Sequence, residues 1–163
     1  MDWNSVFAEH DGWLRKVVAA RVGEPQAVRE VLQEVALAAS KQPNRPTEPT
    51  GLAAWLYRVA IRATLVYRRK AGRRKRLLDR YSQERMATEP REPLDWLLAD
   101  ERDGLVRAAL ERLGDQDREI LLLKYSENWT AAQIAERLGL RLPAVEARLH
   151  RARNRLRAAL GEW

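Results

Sequence analysis

Residues 130–153 read TAAQIAERLGLRLPAVEARLHRAR, and this stretch decides the fold. Thr130 followed three residues later by Gln133 is the signature of a capping box, in which side chain and backbone satisfy each other at a helix start. Ile134, Ala135 and Leu138 then recur at the spacing of one inward helical face. Gly139 supplies a permissive turn, Leu140 follows as a core plug, and Pro143 sits in the next helix's first turn, where a missing amide is tolerated. Val145, Leu149, Ala152 and Leu156 line one side of that second helix. Ala135 is small, as a close crossing of two helices requires. A capped short helix, a glycine turn and an Arg-rich amphipathic helix predict a helix-turn-helix. Its second helix offers Ala144, Ala147, Arg148 and Arg151 to a major groove, with Arg153 and Arg155 extending the charge toward phosphates. The competing explanation of the same stretch is a helical hairpin whose arginines are solvated.

Outward from this motif the chain reads as helix throughout, with no period-two alternation of β-branched residues. A first helix is expected over about Ser5–Val22, ended by Gly23 and Pro25. A second, about Gln26–Ser40, carries Val28, Val31, Leu32, Val35 and Ala39 on one face. Glu30, Gln33, Glu34 and Leu37 share another face, which reads either as solvent surface or as a docking face. The proline-rich KQPNRPTEPT, residues 41–50, is a stiff loop. A third helix follows to about Lys70, with Leu52, Leu56, Val59, Ala63 and Val66 facing inward and Arg58, Arg62 and Arg69 on a different face. Residues 81–94 are polar and hold prolines, so the expected domains are 1–80 and 95–163 with a flexible linker between. Trp96, Leu97 and Leu98 open the second domain, whose first helix runs to Leu113, and Asp115 is expected to cap the next, about Asp117–Tyr125.

Composition narrows the function. The chain has 163 residues, no cysteine and only two histidines, His10 and His150, so disulfides are excluded and a zinc site is not expected. Two small helical domains each bury a thin core and lean on partners for stability. The formal charge of +7 is unevenly placed: residues 41–80 carry twelve Lys and Arg against two Asp and Glu, and residues 81–128 carry seven against twelve. Residues 129–163 are again basic. Two basic blocks separated by an acidic one suggest two docking places for a polyanion. They also predict a compact free protein, with the acidic start of the second domain near the basic helix of the first. The start, MDWNSVFAEHDGW, lacks the basic and apolar regions of a secretory signal, and no stretch is apolar enough to span a membrane, so the chain reads as cytoplasmic. There is no carboxylate cluster at metal-ligand spacing, no Gly-rich phosphate loop and no nucleophile pair, so an enzyme is not expected.

The residues resemble a known family. LGDQDREILLLKYSENWTAAQIAERLGLRLPAVEARLHRARNRLRAAL, Leu113–Leu160, resembles the fourth region of bacterial extracytoplasmic-function sigma factors, which reads the minus-thirty-five promoter element. AVREVLQEVALAA, Ala27–Ala39, resembles the part of the second region that docks on the β′ clamp helices of RNA polymerase. AWLYRVAIRATLVYRRK, Ala54–Lys70, resembles the helix that melts and reads the minus-ten element. The resemblance covers nearly the whole chain in the family's order and implies a two-domain all-α sigma factor. It implies core-polymerase contact by Glu30, Gln33, Glu34 and Leu37. It implies minus-ten contact by Trp55, Tyr57, Arg58, Arg62 and Arg69, the two aromatics stacking on exposed bases unless they pack in the core. It implies upstream contact by Thr130, Arg141, Ala144, Ala147, Arg148, Arg151 and Arg153. The implied partners are core RNA polymerase (β′ clamp helices and β flap), promoter DNA and an anti-sigma protein; no cofactor is implied.

Three places depart from the family's pattern. The loop before the AWLYR-like helix lacks the usual aromatic and glycine-acidic stretch. Position 62 is Arg where the family often has Asn. Pro143-Ala144-Val145-Glu146-Ala147-Arg148 stands where Gly-Thr-Val-Lys-Ser-Arg is common. An altered promoter preference is therefore expected. The alternative that these departures favour is a sigma-like DNA-binding regulator that has lost or altered initiation activity.

Overall fold

The computed structural model describes residues 2–81 and 104–161. These residues form seven helices and no strand: α1 Trp3–Val22, α2 Pro25–Lys41, α3 Leu52–Tyr81, α4 Gly104–Glu111, α5 Asp115–Tyr125, α6 Ala131–Leu138 and α7 Leu142–Gly161. The expected linker, apart from Tyr81 at the end of α3, lies outside the described residues, as do Trp96, Leu97 and Leu98.

Local chemistry sets the boundaries. The Asp2 side chain accepts the Asn4 N–H and caps α1, and Gly23, at φ 74°, ends it. Pro25 opens α2 with its ring preset for a first turn. Asp115 does not cap α5, contrary to expectation. The cap is Gly114, which has no side chain to accept an amide, and the Asp115 carboxylate instead reaches 2.7 Å to Arg68 on α3. The helix-turn-helix forms as expected: Thr130 and Gln133 make the reciprocal capping box, Gly139 is left-handed at φ 70°, and α7 begins at Leu142 with Pro143 in its first turn. The largest departure is α3, which continues eleven residues beyond Lys70. Its apolar stripe ends near Tyr67. Arg, Lys, Leu and Ala carry the helix on by intrinsic preference, without a core beneath.

The two halves share one core. A single buried cluster runs from Leu14, Val17, Val28 and Leu56 in the first half to Ile120, Leu123, Ile134 and Val145 in the second. α1 packs on α5, and α3 on α6. Each thin half thus finds in the other the partner its size demands. The Gly139 turn sits so close to α3 that a Cβ there would lie 3.2 Å from the Ala54 methyl.

Candidate polymerase and promoter interfaces

On α2, Val28, Val31, Val35 and Ala39 turn inward, leaving Glu30, Gln33, Glu34 and Leu37 together on an exposed face. Leu37 is 50% exposed, a large apolar side chain among carboxylates. Glu30, Gln33 and Glu34 form one wall of a groove of about 450 Å³, whose other wall is Arg62, Lys70 and Arg74 of α3 and whose floor includes Val31, Val59 and Ala63.

α3 presents three different sides. Arg58, Arg62 and Arg69 share one exposed side. Trp55 is 9% exposed, packed 6.2 Å from the Trp3 ring, so in this conformation its face is unavailable to a base. Tyr57 faces the second half and donates its hydroxyl to Glu119 Oε2 at 3.0 Å. Burial and the Glu119 charge push the Tyr57 phenol up to about 12. The sequence reading thus placed five residues at one DNA site, and the closed structure brings three of them, the arginines, to a free surface.

On α7, Ala144, Ala147 and Arg151 are exposed, Arg148 is half-buried at the edge of that face, and Arg141 is exposed just before the helix. Thr130 spends its hydroxyl on the capping box. Arg153 leans back over Tyr125, donating to its hydroxyl at 2.8 Å with the guanidinium 5.8 Å from the ring centroid. Arg155 pairs with the nearly buried Asp117. The outward face holds one pair that the sequence reading missed: Asn154 Nδ2 lies 3.2 Å from His150 Nε2.

The interface between the halves was also missed. Arg21 of α1 donates to both Glu119 oxygens, at 2.6 and 3.2 Å, and Glu119 is fully buried. Burial acts to lower the Arg21 pKa, but its hydrogen bond and attraction to Glu119 outweigh this and hold it above the ordinary value. Arg118 donates to the α4 carbonyls of Leu110 (2.9 Å) and Glu111 (3.1 Å), to Leu113 (2.7 Å), and to Ala20 at the end of α1, satisfying orphan carbonyls of two helices with one fork. Trp13 packs 5.6 Å from Trp129, over which Arg137 lies at 4.3 Å, and Lys16 pairs with Glu127. The one sequence hint was Glu119, a carboxylate abutting the apolar run Ile120–Leu123.

Residues 6–74 match the family model of Sigma-70 region 2, and residues 103–156 that of Sigma-70, region 4. Both regions in this order, on an all-helical scaffold, define a sigma factor of the sigma-70 class, which directs promoter-specific transcription initiation. Relatives include the ECF RNA polymerase sigma factor SigL of Mycobacterium tuberculosis, 28% identical over 97% of this chain and 88% of that protein. CarQ of Myxococcus xanthus, an RNA polymerase sigma factor, is 26% identical over 98% and 90%. Among solved structures, RpoE of Bartonella quintana in complex with the anti-sigma factor NepR has a TM-score of 0.65 at 22% identity, covering 98% of this chain and 97% of that one. CnrH in complex with the cytosolic domain of CnrY has a TM-score of 0.58 at 25% identity, over 98% and 88%. The chain belongs to the extracytoplasmic-function (ECF) sigma factors.

Proposed function

We infer that this factor works from the cytoplasm, with residues 1–80 and 95–163 acting as separate modules on the polymerase and 81–94 as the linker. Glu30, Gln33, Glu34 and Leu37 dock on the β′ clamp helices of core polymerase, and the second half meets the β flap. The observation that supports this is the α2 face itself, where a half-exposed Leu37 stands on the same side as Glu30, Gln33 and Glu34. An apolar anchor ringed by charge suits a specific protein interface better than solvent. Arg58, Arg62 and Arg69 meet the minus-ten element, and Arg148 and Arg151 enter the major groove at the minus-thirty-five element. The chain carries out no chemistry itself; bond formation belongs to the polymerase.

An anti-sigma protein is a further proposed partner, since the similar RpoE is in complex with the anti-sigma factor NepR, and the similar CnrH is likewise in complex with another protein, the cytosolic domain of CnrY. The α2 face is tested by co-purification with core polymerase. Glu34 is exposed, so Glu34→Arg leaves the fold intact. It is expected to weaken binding by about tenfold or more, the cost of reversing one interface charge. Undiminished co-purification of both Glu34→Arg and Leu37→Ala would remove the docking role from this face.

A further inference from the structure

Among the described residues, the extension of α3 from Arg73 to Arg80 contributes nothing to the buried core. Every position from Arg73 to Arg80 is exposed, so this segment buries no large side chain. Yet it is built to a pattern. Arg58, Arg62, Arg69, Arg73, Arg76 and Arg80 follow at intervals of four, seven, four, three and four residues, which returns each to the same side of a 3.6-residue helix. From Arg58 to Arg80 the row rises 22 residue steps, about 33 Å at 1.5 Å per residue. Leu65, also exposed, fills the gap between Arg62 and Arg69. The only carboxylate on α3 is Asp79, which lies off the row. Among the described residues none of the six guanidiniums pairs with a carboxylate. Four other cations of α3 lie off the row: Lys70 and Arg74 line the α2 groove, whose edge Arg62 also reaches, Arg68 pairs with Asp115 of the second half, and Lys75 is exposed on a further side.

Like charges four residues apart on one side weaken an isolated helix. A helix that keeps six of them in register, with half the row on a stretch that adds nothing to the buried core of the described residues, is matched to an external line of negative charge. Duplex DNA offers one phosphate per about 1.7 Å of axis, so 33 Å of duplex supplies far more partners than the row needs. We propose that Arg73, Arg76 and Arg80 extend the promoter-facing side of α3 into a rail for the sugar–phosphate backbone of double-stranded DNA. The site lies upstream of the minus-ten element and is independent of base sequence. The upstream direction rests on the sigma-factor reading: in sequence order, α3 is followed by the half that takes the upstream element. The rail itself does not depend on that reading, because it requires only duplex phosphates.

The test uses holoenzyme assembled with wild-type chain or with the triple variant R73Q/R76Q/R80Q. Glutamine keeps the helix preference of arginine, and circular dichroism confirms that α3 is retained. Binding to a promoter duplex and to a non-promoter duplex is measured across a salt series. The expected result is a salt slope lower by about three, one for each phosphate that an arginine no longer neutralises, on both duplexes alike. Methylphosphonate linkages placed between the two promoter elements should bring the wild-type slope down to that of the variant and leave the variant unmoved. An unchanged slope on both duplexes overturns the proposal. So does a loss of core-polymerase binding with the DNA slope intact, which would assign the row to a protein surface. If neither holoenzyme prefers the promoter, the promoter reading fails. The difference in slope on non-promoter duplex still decides the rail.

Discussion

Arg21 on α1 and Glu119 on α5 form a two-pronged ion pair across the boundary between the halves, with Nη1 2.6 Å from Oε1 and side-chain exposures of 9% and 1%. Tyr57 on α3 donates to the second Glu119 oxygen, so one carboxylate of the second half is held by two helices of the first. The promoter elements of the proposed function lie about 25 base pairs apart by their names, about 85 Å of B-form DNA. The longest helix, α3 with 30 residues, spans about 45 Å. On the proposed function, the closed arrangement is the free form and the halves are expected to part on the polymerase. The cluster around Glu119 is then expected to act as the latch of the closed form.

Breaking one partner of a buried ion pair costs about 3–5 kcal/mol, whereas replacing the whole group by apolar residues is often close to neutral. Glu119→Ala is expected to shift the free protein toward an open form, and R21M/Y57F/E119L to stay largely closed. The native sequence has no cysteine, so dyes on cysteines introduced at exposed Ser5 and Asn154 report the separation directly. Equal distances in wild type and Glu119→Ala would remove the latch.

Alkaline pH tests the same cluster. Tyr57 titrates near 12 in the folded chain and near 10 when unfolded, so its contribution is complete below pH 10. It is lost as pH rises from 10 toward 12, where the unfolded state has released the proton and the folded state has not. The loss reaches about 2 kcal/mol. Chemical denaturation at pH 9 and pH 11.5 should show this decline in wild type and a smaller one in Tyr57→Phe. Parallel declines would contradict the assignment.

Acid acts at the other end of the junction. His10 Nδ1 accepts the Trp13 indole N–H at 3.0 Å, so this nitrogen carries no proton in the folded chain. Burial holds His10 below its ordinary value, Glu9 opposes this, and Arg137 reinforces it. A lowered base means that its contribution is present above pH 6.5 and is lost as pH falls through the folded pKa. His10→Asn, which cannot titrate, should flatten the acid limb of the stability profile between pH 7 and pH 5. An unchanged limb would place the acid sensitivity elsewhere.

The arginines of α7 separate into two groups. Arg148 borders the exposed face near the start of the helix, where base edges are reached, and a bidentate pair with guanine discriminates by about 1–3 kcal/mol. Arg148→Ala is expected to reduce the difference in affinity between a matched and a scrambled upstream element. Arg153 is engaged with Tyr125. Arg153→Ala should therefore lower stability, by roughly 0.5–1 kcal/mol as for an exposed cation–π pair, and leave that difference in place. Competition binding and thermal melts distinguish the two; equal loss on both elements for Arg148→Ala would make it a phosphate anchor.

The helix-turn-helix was legible in the sequence because its determinants are local: Thr130 and Gln133 lie three residues apart, and Gly139 needs only its own backbone. The α2 face was equally legible, since periodicity alone separates Val28 and Val31 from Glu30 and Glu34. The charge blocks anticipated a pairing such as Arg68 with Asp115. They could not anticipate Arg21 with Glu119, because residues 1–40 are acidic on balance and the pair depends on which two side chains meet 98 positions apart. The length of α3 escaped for a different reason. Amphipathic periodicity reports burial, and beyond Tyr67 the helix buries little for it to report.

The account is tested most directly by in vitro transcription from a genomic DNA library, using core RNA polymerase with the purified chain and mapping every start site. The predicted result is a set of starts absent without the chain, sharing sequence at both promoter elements, and abolished by Glu34→Arg. A chain that binds DNA and polymerase yet yields the same starts as core enzyme alone would contradict it, and would identify a sigma-like regulator that does not initiate transcription.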